Sequence, residues 1–401
     1  IYRLTILILF LPSIYRGATA QSDEASEEIE EIVITSTRNR RSFEQQPTRV
    51  EVLGGEEING KANMKPGDIR MMLNESTGIH VQQTSATSFN SNIRIQGLNG
   101  KYTQLLRDGL PMYGGFSSGL GLLQIAPLDL QQVEVIKGAN STLYGGGAIA
   151  GLVNLVTKKP GIEPETSMLL NATSAGGLDA SSFHTSTEGT LGKRIFASYN
   201  KSEAYDSADN GFSAIPEFER WTLNPHLFIE NLNSQFSLGF NAVKENRIGG
   251  DMDYIDGDRH AAAYFERIAT DRFSTQLEYV SQLQSGKEFV IRNSVNHYRQ
   301  DLEVPGHFFK GEQLSSFSEV HLAGSAELME WVVGLNLWTE KFDQDILSPS
   351  MALDFGTQTV GVFAQGTFSL SEFWSVEGGL RLDSTSEYGS LFLPRASLLY
   401  K

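Results

Sequence analysis

The chain has 401 residues, enough for more than one domain, with a formal net charge of −16 and no cysteine. The charge argues against a nucleic-acid partner, because phosphate contacts need basic patches. The missing cysteine excludes disulfides, cysteine-based zinc sites, iron–sulfur clusters and thiol nucleophiles. Mean hydropathy is −0.22, and no internal apolar run approaches the roughly 18–20 residues of a spanning helix. A membrane barrel stays open, since its strands need only about 9–11 residues with alternate side chains apolar.

At the N-terminus Arg3 precedes an apolar run from Leu4 to Leu11, broken only by Thr5. Ala18-Thr19-Ala20 then forms a small-x-small site before Gln21. This layout predicts a secretory signal peptide over residues 1–20 and export of the mature chain. The first residue is Ile1, so the start of that segment reads as clipped. Residues 21–42 read as a flexible leader, opening with an acidic stretch that cannot bury a core. Inside it, Ile32-Val33-Ile34-Thr35 precedes Arg38, Arg40 and Arg41. An extended apolar tetrapeptide of this kind can add to another protein's sheet edge. It can equally be the first strand of the next domain, and spacing alone leaves both open.

Residues 43–160 read as a small α+β domain. Strands are predicted at Val50–Leu53, Ile79–Val81, Ile93–Ile95, Gln104–Leu106, Val133–Ile136 and Leu152–Thr157. A short helix is predicted over Lys65–Leu73, with Pro66 near its start, and a helical turn over Leu128–Gln132. Asp108-Gly109 marks a turn. Glycine is concentrated between residues 97 and 161 among apolar residues, as in a chain that turns tightly and often. Gly145-Gly146-Gly147 lacks the Lys-Ser/Thr of a phosphate loop.

From about residue 164 the pattern has period two. Val360, Val362, Ala364, Gly366, Phe368 and Leu370 share one face, with Phe363 an apolar exception on the other. Trp374–Leu382, Phe236–Ala242, Phe273–Tyr279 and Trp331–Leu337 repeat the alternation. Short turns are predicted near 191–193, 231–233, 284–287, 327–330 and 370–372. Long polar loops are predicted near 205–217, 248–270, 300–312, 343–355 and 384–391, the connection pattern of an outer-membrane barrel. Phe196, Phe236, Phe289, Trp331 and Trp374 each follow a short turn, as in an aromatic girdle, the last four in the apolar phase.

The strings Asn92–Leu98, Tyr102–Leu106, Asp108–Pro111, Val133–Gly138 and Ser141–Asn154 resemble the plug of TonB-dependent outer-membrane receptors. The likeness is closest to the ferric-siderophore and cobalamin type of Bacteroidetes-like bacteria, and Leu393–Lys401 is similar to a mid-barrel strand. The resemblance implies an α+β plug domain inside a transmembrane antiparallel β-barrel, with 22 strands in the family. About twelve strands are legible here, so residues 161–401 read as an incomplete, C-terminally truncated barrel. It also resolves the leader: Glu31, Ile32, Val33, Ile34 and Thr35 sit where the family has its TonB box. Arg94, Glu134 and Lys137 take the places of plug residues that contact the barrel wall. Gly97, Asp108, Gly109, Gly138, Tyr144, Gly145 and Asn154 fall in plug turns and motifs. Gln82, Gln83, Phe89, Asn90, Tyr113, Phe116 and Ser117 fall at apices that face the ligand.

The implied function is active transport of a ferric siderophore, or of cobalamin, another metal chelate or an oligosaccharide, across the outer membrane of a Gram-negative bacterium. The implied partners are TonB, ExbB and ExbD, outer-membrane lipid and an extracellular ligand, with the plug on the periplasmic side. The alternative is a non-functional fragment. No catalytic residues, cofactor or resident metal are expected. No nucleophile elbow or HExxH occurs, and the seven histidines are scattered. Asp251, Asp253, Asp256 and Asp258 lack the glycine and glutamate of a calcium loop. A signalling receptor or a glycan importer would carry a further N-terminal domain, for which residues 21–31 leave no room.

Overall fold

The computed structural model describes residues 33–35, 37–38, 41–42, 47–83, 85, 87, 91–112, 122–258, 263–284, 286–346 and 354–401. The signal segment 1–20 and most of the leader lie outside them. The first described elements are β1 (Val33–Ile34) and β2 (Arg41–Ser42), an antiparallel pair. The small domain follows as β3 (Val50–Leu53), α1 (Gly55–Ala62), α2 (Arg70–Asn74), β4 (Ile79–Gln83) and β5 (Ser91–Ile95). It continues as β6 (Thr103–Arg107), β7 (Leu110–Pro111), β8 (Leu130–Lys137), α3 (Ser141–Tyr144) and β9 (Gly151–Thr157). Its sheet runs β3-β8-β9-β6-β7, with β6 and β9 parallel. Strand β9 is buried along its whole length, which its near-continuous apolar sequence anticipates. Leu53, Ile58, Ile69, Leu73, Ile79, Val133 and Val153 pack into one core.

Two local expectations fail. The helix expected over Lys65–Leu73 exists only as α2. Pro66-Gly67 occupy a turn, and Asp68 Oδ1 accepts the Arg70 N–H at 3.0 Å instead of opening a longer helix. The residues expected as a helical turn at 128–132 enter β8, because pairing with β9 begins at Leu130. Helix α1 was unforeseen, since Gly55 and Gly60 lower its local propensity, but it buries Ile58 and Ala62.

Residues 165–400 form twelve strands: β10 (Glu165–Ala172), β11 (Leu178–Glu188), β12 (Leu191–Ser202), β13 (Glu217–Asn231), β14 (Ser234–Gly250), β15 (Phe265–Gln282), β16 (Lys287–Val304), β17 (His307–Ala326), β18 (Met329–Ile346), β19 (Phe355–Ser369), β20 (Trp374–Thr385) and β21 (Gly389–Tyr400). Each pairs antiparallel with its sequence neighbour, in one open sheet with β10 and β21 at its edges. Residues 189–190, 232–233, 283–286, 327–328 and 370–373 make the connections at one end, here the turn end. The other, the loop end, carries the longer connections 203–216 and 251–264.

Two loops expected to be long are not. Within 300–312, β16 and β17 run on to a two-residue turn at Pro305-Gly306. Within 384–391, only 386–388 separate β20 from β21. Where both faces of a strand are wet, polar residues carry no alternation and are indistinguishable from loop.

The sheet has inverted polarity. Asn200, Arg220, Asn224, Glu245, Arg272, Ser294, Glu319, Asn336, Gln365 and Arg381 lie buried on the concave face. Ile195, Leu223, Phe273, Leu335, Val362 and Leu380 are exposed on the convex face, Leu380 by 55%. A contiguous apolar exterior around a polar interior suits lipid outside. Phe236, Phe289, Trp331 and Trp374 follow turn-end connections on the convex face, with Trp374 and Tyr400 rings 4.7 Å apart. Phe196 does not join them; it is buried with Phe183 and Ala126 on the concave face. Phe363, the exception in its strand, is buried against Leu143 and Leu152 of the small domain.

Replacing Leu380 by Arg should therefore destabilise a lipid-embedded sheet by about 2–4 kcal/mol, the cost of a midplane cation. Urea unfolding in lipid vesicles would measure it. An unchanged midpoint would show that this face does not meet hydrocarbon.

Candidate functional site

The concave face is filled by the small domain, and contacts come from nearly every strand. Arg220 of β13 donates to the Gly67 carbonyl at 2.6 Å. Asn224 donates to Asp129 at 2.9 Å, which also pairs with Arg107. Gln276 of β15 donates to the Arg107 carbonyl, and Arg381 of β20 donates to the Leu143 carbonyl. Arg194 of β12 bonds Thr157, and Arg395 of β21 bonds Thr48. Against β17–β19 the contact is instead apolar: Leu106, Ile136, Leu143 and Leu152 meet Ala323, Val332 and Phe363.

For Arg94, Glu134 and Lys137, expected at the barrel wall, the described partners lie within the small domain and the leader. Arg94 donates to Gln82 across its own β4–β5 hairpin at 2.6 Å. Lys137 bonds Glu51 and the Thr77 carbonyl. Glu134 faces the leader. Among the described residues, the ion pair of Arg38 with Glu319 reaches the barrel wall.

Glu134 is fully buried. Its Oε1 accepts both the Thr35 backbone N–H (2.8 Å) and the Thr35 hydroxyl (2.9 Å). Its Oε2 accepts from Asn154 Nδ2 at 3.0 Å, and Asn154 also reaches the Thr35 hydroxyl at 3.2 Å. Asn154 Oδ1 in turn accepts the Gly109 N–H at 2.9 Å. That turn places Asp108 (φ 51°) and Gly109 (φ 76°) in left-handed conformations, which aspartate tolerates and glycine adopts freely.

Three residues past Thr35, Arg38 is held in a left-handed conformation at φ 65°, a strained state for a long side chain. Its guanidinium donates through Nη1 to Tyr144 Oη (2.7 Å) and the Gly109 carbonyl (3.3 Å) and through Nη2 to Glu319 Oε2 of β17 (3.1 Å), with Nε 2.8 Å from Glu319 Oε1 in the ion pair. Both partners of the ion pair have fully buried side chains. His321 Nδ1 lies 3.1 Å from Glu319. Burial pushes the Tyr144 phenol up to about 12, partly offset by Arg38, so it meets Arg38 as a neutral hydroxyl. The leader is thus tied to the small domain through Thr35 and to the barrel wall through Arg38.

Asp108 accepts the Thr157 N–H at 2.8 Å and its hydroxyl at 2.9 Å. Burial opposes its ionisation, but Arg194 and the Thr157 N–H prevail and hold its pKa below the usual aspartate value. A carboxyl lowered by folding stabilises the fold fully above its unfolded pKa, about 3.9, and that contribution fades as pH falls towards the folded value. The stability gap between wild type and Asp108→Asn should stay constant above about pH 5 and shrink below about pH 4. Denaturant unfolding across that range measures it, and a pH-independent gap would contradict it.

Of the remaining candidates, Gly97, Gly138 and Gly145 adopt positive φ in turns. Gln82 and Gln83 end β4, where Gln83 donates to the Ser85 carbonyl and Ser85 and Thr87 donate to Glu266 near the loop end of β15. Glu31, Ile32, Phe89, Asn90, Tyr113, Phe116 and Ser117 lie outside the described residues. A cavity of about 330 Å³ opens towards the loop end. Lys101, Gln104 and Tyr144 line one side of it and Phe317, Trp338 and Arg381 the other. No single strand segment announces these as partners, because the cavity is assembled from elements far apart in sequence. Asp251, at the head of the acidic loop, caps a short helix by accepting the Asp253 N–H at 2.9 Å, and among the described residues no acidic or histidine group has metal-binding geometry.

Residues 42–152 match the TonB-dependent receptor plug domain, and residues 171–401 match the TonB-dependent receptor-like β-barrel. The chain is 24% identical to the iron-regulated outer membrane virulence protein of Vibrio cholerae serotype O1, over 94% of this chain and 58% of that protein. It is 27% identical to the rhizobactin receptor of Rhizobium meliloti, over 60% of this chain and 33% of that one. The alcaligin outer membrane receptor FauA of Bordetella pertussis superposes with a TM-score of 0.72 at 18% identity, covering 90% of this chain and 62% of that chain. This chain thus spans somewhat over half the length of such relatives.

Proposed function

Since the chain belongs to the TonB-dependent receptor family, we propose that it carries the plug and the first part of the barrel of an outer-membrane importer of ferric siderophores, driven by TonB with ExbB and ExbD. The names of its relatives, one iron-regulated and one a rhizobactin receptor, favour that ligand class. In this reading the turn end faces the periplasm and the loop end faces outward. The ligand settles in the cavity above the plug, against Lys101, Trp338 and Arg381. The protein makes and breaks no bond in it.

The observation that carries the reading is the continuous bond path from Thr35, in the proposed TonB box, through Glu134 and Asn154 to the Gly109 turn, and through Arg38 to Glu319. A segment tied at once to plug and wall can transmit a pull to both. TonB captures it by adding a strand, which requires the segment first to leave these partners.

Uptake of labelled ferric siderophores by iron-limited cells, with and without TonB, tests the proposal. Saturable uptake lost without TonB is the expected result. Uptake of cobalamin alone would change the ligand class, and uptake indifferent to TonB would defeat the mechanism.

A further inference from the structure

On its convex side the sheet carries a hollow of about 780 Å³. The small residues Ala180, Ser182 and Ala197 line it among the large Tyr199, Trp221 and Leu223. Register fixes which way these side chains point. Met168, Ser182, Ala197, Leu223 and Ala242 lie directly opposite one another on β10 to β14, so they share one face. Met168 on that row is 77% exposed, and Leu170 on the next is 81% exposed, so the face is the convex one. The patch thus carries a hollow and, on the adjoining strand, two projecting side chains of a size to enter one.

The same patch is polar where hydrocarbon is expected. The convex positions of β11 read Ser182, His184 and Ser186, whereas those of β18 read Trp331, Val333, Leu335 and Leu337. Lipid offers no water to bond a hydroxyl or a ring nitrogen, so such groups need protein partners. Asn293, on the convex side of β16, finds them within its own wall: it donates to Ser318 Oγ at 2.9 Å and to the Phe317 carbonyl at 3.2 Å. On β11, His184 uses only Nδ1, 2.8 Å from Thr166 Oγ1. Among the described residues, the hydroxyls of Ser182 and Ser186 and the Nε2 of His184 have no hydrogen-bond partner.

We propose that the convex face of β10–β12 is the contact between two copies of this protein in the membrane. An acyl chain would fill the hollow but offers nothing to Ser182 or His184. A strand added beyond β10 would pair edge-on through its backbone and leave the convex face open. A second copy supplies both needs. Identical subunits that close as a pair use a two-fold axis and the same patch on each. In a bilayer that axis stands along the membrane normal, so equal heights meet. Placed over β11, it brings Ser182 and His184 of the two copies within each other's reach. Met168 on β10 of each copy then enters the hollow over Ala197 on β12 of the other. Two convex walls touch over only a few strands, and β10–β12 is that width. The pairing requires lipid outside the sheet and nothing else, so it stands apart from the importer reading.

The absence of native cysteine makes single-cysteine cross-linking in isolated outer membranes direct. In the full-length protein, Ser182→Cys lies next to the proposed axis and should oxidise with copper phenanthroline to a disulfide-linked pair. Val362→Cys, exposed on the convex face of β19, is the control. The expected result is several-fold more linked product from Ser182→Cys than from the control. With two differently tagged copies coexpressed, that product should contain both tags. Adding Ala197→Trp fills the hollow and should cut the yield several-fold. Met168→Ala removes the projecting side chain, cannot crowd the fold, and should lower the yield in the same direction. Equal linking at Ser182→Cys and Val362→Cys would overturn the proposal. So would a product that joins the chain only to a different protein, or a yield that ignores both Ala197→Trp and Met168→Ala.

Discussion

Replacing Glu319 by Ala should free the leader from the barrel without any ligand. The substitution leaves Arg38 buried opposite a vacated carboxylate, which costs about 3–5 kcal/mol in comparable buried pairs. At 1.4 kcal/mol per decade, the detached state should gain on the order of a hundred- to a thousandfold in population. Arg38 is already strained at φ 65°, so the segment has an added incentive to leave once its partner is gone. Thr37 is 6% exposed, and a single cysteine placed there reports directly: maleimide labelling should be slow in the parent and fast in Glu319→Ala. Glu319→Gln retains shape and one acceptor and should fall between. Equal labelling rates in all three would mean that the ion pair does not hold the segment.

The second large effect is expected of Val33→Pro, and it is a loss of transport without a loss of binding. Strand addition depends on a row of backbone donors, and proline removes one and fixes φ. Among the described residues Val33 pairs with Ser42, in a ladder of two-residue strands, so the folded plug loses little. Ferric siderophore bound on ice should be unchanged, whereas energised uptake should drop to the level of cells lacking TonB. Val33→Ala, which keeps the donor, should transport normally. Energised uptake by the proline variant would show that Ile32–Thr35 is not where TonB attaches.

Much of the architecture was legible because two different periodicities meet near residue 164. The alternation in Val360–Leu370 identified the exposed face of β19 correctly, and the twelve strands were countable from such runs. The failures have a common cause. At 300–312 and 384–391 the strands rise where both faces are polar, so the period-two signal vanishes although pairing continues. In α1 two glycines hid a helix whose stability comes from burying Ile58 and Ala62. For the site, the motif residues Asp108, Gly109, Tyr144 and Asn154 were marked by resemblance; Gly109, Tyr144 and Asn154 bond the leader, while Asp108 holds Thr157. Arg38 and Glu319 were not marked. Nearly 300 residues separate them (|i−j| = 281), and a lone Glu among the polar concave positions of β17 looks like any other. Glu134 and Lys137 were marked as wall contacts; β8 turns Glu134 towards the leader and Lys137 towards Glu51.

Strands β16 and β17 stay paired up to Val304 and His307 across their two-residue turn. At about 3.3 Å per residue, the 18 residues of β16 extend roughly 60 Å, although about 9–11 suffice to cross a bilayer. In the proposed orientation some 25 Å of hairpin therefore stands clear of the lipid as a stiff parapet. It cannot fold over the mouth, since bending it would break ladder bonds one after another. A cover over the mouth would have to come from connections outside this ladder, such as 203–216.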